Sequence, residues 1–373
     1  MRAAKILGVN LLVLAGLLLA AEVGYRAVKL AGSCLSAKCD VSYLELGYKF
    51  RRNVEVGFSR IDPVVGHVPS DGDHFIRGPA GEPKRVTIRD GFRVSGSQAP
   101  QGPATLAVGD SFTFGDEVSD EDTWPACLQE RWATPVLNGG VFGYGAAQAV
   151  LRARELERSR RFERIIWSVL VDEDFERDAL VSRSNMPKPA VIRDGNGMRF
   201  TSIEESKSVL VQTSGTGLAK YASGFGYFYL SKLTWQHFSP LVLRPGTTYD
   251  GRWTVSHPEA AGFPELLSFS VAQFAALRAP EKFILLQYDE PTVRSASPRA
   301  KAEIEALKSL SRRYGLAVID TLPALKGAPD LDSLYSRHHT PAGNRLVCDV
   351  IDGAVKSATA QQPATADPAA SSF

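Results

Sequence analysis

The stretch Thr105-Leu-Ala-Val-Gly-Asp-Ser111 decides the fold. Four uncharged residues ending at a glycine and a polar pair read as a short strand buried on both faces, closed by a turn. The pattern recurs downstream. Helix periodicity is expected near 121–132, a second strand at 135–137 ending in Asn138 and several glycines, a helix over 146–161, and a fully apolar third strand over 165–171. After a break come a helix over 263–277, a strand over 283–287, a helix over 298–314, a strand over 316–319 and a last helix from 341 to about 355. Strands alternating with helices imply βαβ units around a buried parallel sheet. The expected fold is a three-layer α/β/α domain with a five-stranded parallel sheet.

Four segments fall outside this rhythm. Residues 28–100 are rich in Gly, Pro, Asp and Arg and read as a loop-rich extension with short strands such as 85–88. Residues 180–262 hold many Gly, Ser and aromatic residues, including Gly224–Tyr229, and read as an insertion in the 101–357 domain. Residues 358–373 are Ala, Ser, Pro and Gln and read as a disordered tail. At the N-terminus, Arg2 and Lys5 precede an uncharged run from Ile6 to Ala21, which spans a membrane if Val23–Tyr25 continue it. Leu19-Ala-Ala21 fits a signal-peptidase site poorly. Residues 1–27 are therefore expected to be an uncleaved membrane anchor, with the following domain periplasmic or extracellular.

In such a compartment Cys34 and Cys39, five apart, are expected to close a small disulfide, while Cys127 and Cys348 read as free, buried thiols in helices. The 373 residues carry 44% hydrophobic and 23% charged side chains and a net charge of +2. The longest basic stretch, 152–164, is interleaved with Glu155, Glu157 and Glu163 and reads as a solvated helix face, so no nucleic-acid partner is expected. No metal or other cofactor site is expected.

In open parallel sheets, ligands gather beyond the C-terminal strand ends. Three polar segments fall there: Gly109-Asp-Ser111, Asn138–Gly145 and Asp172–Asp178. The segment Arg337-His-His-Thr-Pro-Ala-Gly-Asn344 precedes the last helix. A serine at a strand-to-helix turn with a histidine delivered from a distant loop is the equipment of acyl transfer through a nucleophilic hydroxyl.

These segments, in this order, resemble the blocks of the SGNH (GDSL-like) hydrolases. Val108-Gly-Asp-Ser-Phe-Thr-Phe-Gly115 is similar to that family's first block, which implies Ser111 as nucleophile and its amide as an oxyanion donor. Asn138-Gly-Gly-Val-Phe-Gly-Tyr-Gly145 is similar to the second, which implies Gly143 as a further oxyanion amide. His338-His-Thr-Pro-Ala-Gly-Asn344 is similar to the fifth, which implies His338 as the base, with His339 in a place usually apolar. Ile88-Arg-Asp-Gly-Phe-Arg93 is similar to a lead-in of membrane-anchored bacterial members.

Two departures stand out. Where the third block has an oxyanion-donating asparagine, this chain has Glu173, and an ionised carboxylate donates no hydrogen bond. Losing one such donor costs on the order of 10²–10³ in rate. The aspartate expected two or three residues before the histidine is replaced by Ser336 and Tyr335, leaving Asp332 or Ser336 as candidate orienting groups. The resemblance implies an esterase or deacylase acting on an acylated small molecule or glycan. A degenerate glycan-binding or assembly protein of the same fold is the alternative.

Overall fold

The computed structural model describes residues 2–35, 58–96, 102–183, 186–195, 197–214, 243, 247–249 and 253–361. They fall into two units, one of the described residues within 60–179, 191–200 and 261–361, the other of those within 2–59, 180–190 and 201–260.

The larger unit opens with two short strands, β1 (Ser59–Asp62) and β2 (Gly66–Pro69), that pair with each other. Its main sheet has eight strands: β3 (Gly72–Arg77), β4 (Pro83–Arg89), β5 (Phe92–Arg93), β6 (Thr105–Val108), β7 (Val136–Asn138), β8 (Arg164–Leu170), β15 (Glu281–Gln287) and β16 (Ala317–Asp320), in the spatial order β16-β15-β8-β6-β7-β5-β4-β3. The first five in that order are parallel, as the alternating pattern requires. The last three are antiparallel additions, so the sheet is mixed. The short strand expected at 85–88 lies within β4, and residues 72–93 of the loop-rich extension as a whole form an edge hairpin of the sheet, β3 with β4, and its link to β7 through β5. Period-2 apolar runs this short, broken by Gly78, Gly81 and Gly91, carry too little signal to separate a strand from a loop.

Successive residues of the parallel strands face opposite layers. Leu106, Val108, Ile165, Trp167, Ile284 and Leu286 pack in one core with α4 (Ala146–Ser159), α7 (Phe263–Ala275) and α9 (Pro298–Arg313). Ala107, Ile166, Phe283, Leu285 and Ile319 pack in a second core with α3 (Trp124–Trp132) and α11 (Pro341–Gln361). The three-layer reading holds on both faces. Four shorter helices complete this unit: α2 (Ser111–Phe114), α5 (Asp174–Arg177), α8 (Glu290–Arg294) and α10 (Leu322–Lys326). A hairpin of β11 (Val191–Asp194) and β12 (Gly197–Phe200) also belongs here, inside the range expected as an insertion.

Helix starts follow from side-chain caps. Thr123 Oγ1 accepts from the Ala126 amide at 3.3 Å ahead of α3, and Ser297 Oγ accepts from the Ala300 amide at 2.9 Å ahead of α9. The basic stretch corrects one expectation, because Arg152 and Glu157 are buried rather than solvated. Arg152 donates to the Gly139 and Gly91 carbonyls at 2.8 and 2.7 Å, and Glu157 accepts from the Arg278 and Ala279 amides. Each charge is satisfied by backbone groups that the helix face meets, which a charge pattern along the sequence does not reveal.

Cys127 and Cys348 are joined in a disulfide that links α3 to α11, 221 residues apart in sequence. The expectation of two free thiols is thereby overturned. Two cysteines on separate helices carry no pairing signal until the fold brings those helices together. Cys34 is also disulfide-bonded, and Cys39 lies outside the described residues.

The smaller unit contains α1 (Arg2–Leu35), α6 (Ile203–Ser214) and an antiparallel sheet in the order β10 (Met186–Pro187), β9 (Leu180–Arg183), β14 (Trp253–Ser256), β13 (Thr247–Tyr249). Within α1, Ile6–Leu35 contains an 18-residue window of mean hydropathy 2.3 and is long and apolar enough to cross a membrane. Its one acidic residue, Glu22, pairs with Arg26 at 2.7 Å one turn on. The aromatic cluster at 225–229 lies outside the described residues; of the expected tail 358–373, residues 358–361 instead continue α11 and the rest lies outside the described residues.

Candidate active site

Strand β6 ends at Val108, and the chain turns through Gly109 and Asp110 into the single-turn helix α2. Asp110 caps that helix, its Oδ1 accepting from the Phe112 amide at 2.9 Å. This fixes Ser111 as the first helical residue, 9% exposed. Far along the chain, the segment before α11 folds into a tight loop. The Thr340 amide donates to Leu334 O at 3.0 Å, the Ser336 amide donates to His338 O at 2.9 Å, and Tyr335 bridges His339. His338 projects from this loop, and its Nε2 lies 2.9 Å from Ser111 Oγ. The two residues are brought within hydrogen-bond range across 227 positions.

Both loops are held from behind. Asn344, in the first turn of α11, accepts from the Trp124 amide at 3.1 Å and donates to His339 O at 3.2 Å. Phe112 packs between the two histidines, 5.0 Å from each ring centre. His339 is buried, and burial with the neighbouring His338 lowers its pKa to about 3. It is therefore neutral at ordinary pH and fills the apolar place in the block.

The second loop, 138–145, lies against α2. Asn138 donates to Phe114 O at 3.2 Å, and the Val141 amide donates to Gly109 O at 3.1 Å. Gly140 sits so close to α2 that a Cβ there would fall 2.8 Å from the Thr113 carbonyl carbon and closer still to the Phe114 nitrogen. Gly143 has φ +69°, left-handed backbone that glycine adopts without strain. His67 secures the loop's far end: its Nε2 contacts Phe142 O at 3.1 Å, and its own carbonyl accepts from Tyr144 Oη at 2.5 Å. Tyr144 and Trp124 are fully buried core residues.

At the end of β8, a buried arginine that sequence reasoning did not single out joins all three strand-end segments. Arg177 Nη1 donates to Asp110 Oδ2 at 2.9 Å, Asp174 Oδ1 at 2.5 Å and Tyr144 O at 3.3 Å. Burial alone would lower its pKa, but Asp174, Asp110 and Glu173 outweigh that and raise it, so Arg177 is held as a cation. Burial and the nearby Asp110 carboxylate push Asp174 well above the usual carboxylate range. Glu173 pairs with Arg177, and its side chain is 48% exposed. Its carboxylate is thus turned to a cation at the rim, where it supplies no donor.

Neither expected orienting group faces His338. Asp332 is 80% exposed and pairs with Arg294. Ser336 Oγ donates to Glu117 Oε2. The nearest carboxylate oxygens to His338 Nδ1 instead belong to the turn leaving α2: Asp116 Oδ2 at 3.6 Å and Glu117 Oε2 at 3.9 Å. The only sequence signal for them is a pair of acids straight after the glycine that ends α2. Arg93 braces this turn from β5, donating to Phe114 O at 2.9 Å, Gly115 O at 2.5 Å and Val118 O at 2.7 Å, and pairing with Asp120 at 3.0 Å.

No protein-family model and no curated protein matches the chain. Among solved structures it is similar to LAE5, an α/β hydrolase enzyme from the metagenome of Lake Arreo, Spain, at 13% identity over 69% of this chain and 97% of that one, with a TM-score of 0.39. It is similar to a member of the lipolytic protein G-D-S-L family from Veillonella parvula at 11% identity over 68% and 97%, with a TM-score of 0.39. It is also similar to a two-domain esterase active on acetylated mannans at 11% identity over 71% and 53%, with a TM-score of 0.36. At these values the reaction has to be argued from the site itself.

Proposed function

We propose that the chain is a membrane-anchored serine esterase or deacylase of the SGNH type, working outside the cytoplasm. Ser111 Oγ attacks the acyl carbonyl carbon while its proton passes to His338 Nε2. The amides of Ser111 and Gly143 hold the developing oxyanion. His338 returns the proton to the departing alcohol, then takes one from the water that hydrolyses the acyl-enzyme. A sugar hydroxyl in place of that water makes the same site a transferase. The observation that carries this reading is the 2.9 Å approach of Ser111 Oγ to His338 Nε2. The apolar length of α1 supports the anchor, and the disulfide between α3 and α11 supports an oxidising compartment. An enzyme tethered there acts on ester-linked acyl groups within reach of the membrane, on envelope polysaccharide or lipid.

The test is reaction of the full-length protein, in detergent, with a serine-reactive fluorophosphonate, alongside hydrolysis of p-nitrophenyl acetate. Ser111 is expected to be labelled, and Ser111→Ala to lose both signals. A wild-type protein that neither labels nor turns over the ester overturns the reading. Glu173, facing Arg177 where an amide donor would stand, favours a second reading in that case: a catalytically degenerate binding or assembly protein.

A further inference from the structure

We propose that Asp116 is the acid of this site, orienting His338 from the turn that follows the nucleophile's own helix, with Glu117 beside it holding the histidine's loop in place. The inference rests on the esterase reading above and supplies the group that the histidine's own segment lacks.

His338 Nδ1 is buried and makes no hydrogen bond. An imidazole that takes a proton at Nε2 needs Nδ1–H fixed and needs a negative charge near the ring as it becomes cationic. Two carboxylates lie within 4 Å of that nitrogen, and their oxygens are not equivalent. Both oxygens of Glu117 serve the loop. Oε2 accepts from Ser336 Oγ, from the Arg337 amide at 3.2 Å and from the His338 amide at 3.3 Å, and Oε1 accepts from Arg337 Nε at 2.5 Å. Burial works to raise Glu117's pKa, but the Ser336 hydrogen bond and the Arg337 and His338 charges lower it overall, so it is ionised. Asp116 Oδ2 is nearer to Nδ1, at 3.6 Å. Its other oxygen, Oδ1, accepts from the Glu117 amide at 3.0 Å, which orients the carboxylate. The Asp116 amide donates to Ser111 O at 3.1 Å, so nucleophile and acid sit on one turn of backbone. A small rotation about the Asp116 side chain closes the remaining gap, as catalytic hydrogen bonds commonly tighten only when substrate binds.

The protons balance without a further group. The Ser111 hydroxyl proton goes to Nε2, Nδ1 keeps its own proton and hydrogen-bonds through it to the Asp116 carboxylate, and that carboxylate stays ionised. The charged groups beside the imidazole are Asp116 and Glu117 from the turn and Arg337 from its own loop, and the titratable His339 next to it is neutral at ordinary pH.

The test compares wild type, Asp116→Asn, Asp116→Glu and Glu117→Gln as full-length proteins in detergent, with two readouts. The first is the rate of Ser111 labelling by fluorophosphonate, expected to fall by about 10²–10⁴ in Asp116→Asn and to recover by about tenfold or more in Asp116→Glu. The second is proton NMR of histidine-labelled protein, with His338 assigned through His338→Gln. A downfield, exchange-protected Nδ1 proton is expected in wild type and Glu117→Gln and is lost in Asp116→Asn. This signal reports the Asp116–His338 pair whether or not Ser111 reacts, so an unreactive wild type counts against the esterase reading alone. An Nδ1 proton that survives in Asp116→Asn, or one lost only in Glu117→Gln, overturns the assignment.

Discussion

Replacing Cys127 and Cys348 together by alanine removes a cross-link spanning 221 residues. In the chain-entropy description, a closed loop of that length restricts the unfolded ensemble by about 18 cal/mol/K, or about 5 kcal/mol at 25 °C. A domain of this size moves in Tm by about 2–4 °C per kcal/mol, so the variant is expected to melt about 10–20 °C lower. Cys348 is fully buried, so alanine also removes packed sulfur. Reduced protein with Cys34 and Cys39 changed to serine keeps both sulfurs at 127 and 348 and isolates the cross-link itself. The assay is thermal and urea unfolding of the full-length chain in detergent, with thiol titration before and after reduction. The helices remain pinned by the Asn344–Trp124 bond and by Trp132 Nε1 donating to Asp352 Oδ1 at 2.8 Å, so Ser111 labelling at 25 °C is expected to persist. A Tm shift under about 2 °C, less than 1 kcal/mol on the same scale, or titratable thiols at 127 and 348 in unreduced protein, refutes the reasoning.

Two further expectations concern the same unit. Gly140→Ala drives a methyl group into the backbone of α2, and the displaced Ser111 is expected to lower kcat on p-nitrophenyl acetate by about 10²-fold; unchanged kcat would show that the two loops do not touch. Burial pushes Glu303 from its ordinary 4.5 up to about 8. Because the folded state favours the protonated form, that group's stabilising effect is full below about pH 4.5 and is lost as pH rises through about 8. Glu303→Gln is accordingly expected to be more stable than wild type at pH 9 and close to it at pH 4, measured as urea midpoints. Parallel pH profiles for the two proteins would contradict this.

The parallel half of the sheet was legible because fully buried strands are written as unbroken apolar runs. Residues 105–108 and 165–171, expected as strands between helices, fall on β6 and β8, the latter displaced by one residue. The two turns that bring Ser111 and His338 together were legible because each carries a characteristic neighbourhood of glycine, proline and small polar residues. Within residues 72–93 the strand at 85–88 was legible, but β3, β5 and their place in the main sheet were not, since edge strands with one exposed face alternate weakly and are interrupted by glycines. Asp116, Glu117, Arg93 and Arg177 were hidden for a different reason. Their partners lie across the fold, and the sequence around each charge gives no hint of burial. Asp332 shows the converse, an acid near the histidine in sequence whose side chain turns to Arg294 instead.

The left-handed backbone at Glu117, with φ +69°, is a place where glycine would relax the chain by about 1–2 kcal/mol. A glycine there would also release the amides of residues 337 and 338 and leave their loop without its acceptor. Backbone ease and loop support thus pull this position in opposite directions. In any set of homologues the choice here and the choice just ahead of the histidine are therefore expected to change together: glycine in the turn accompanied by an acid on the loop, or an acid in the turn with the loop released from that duty.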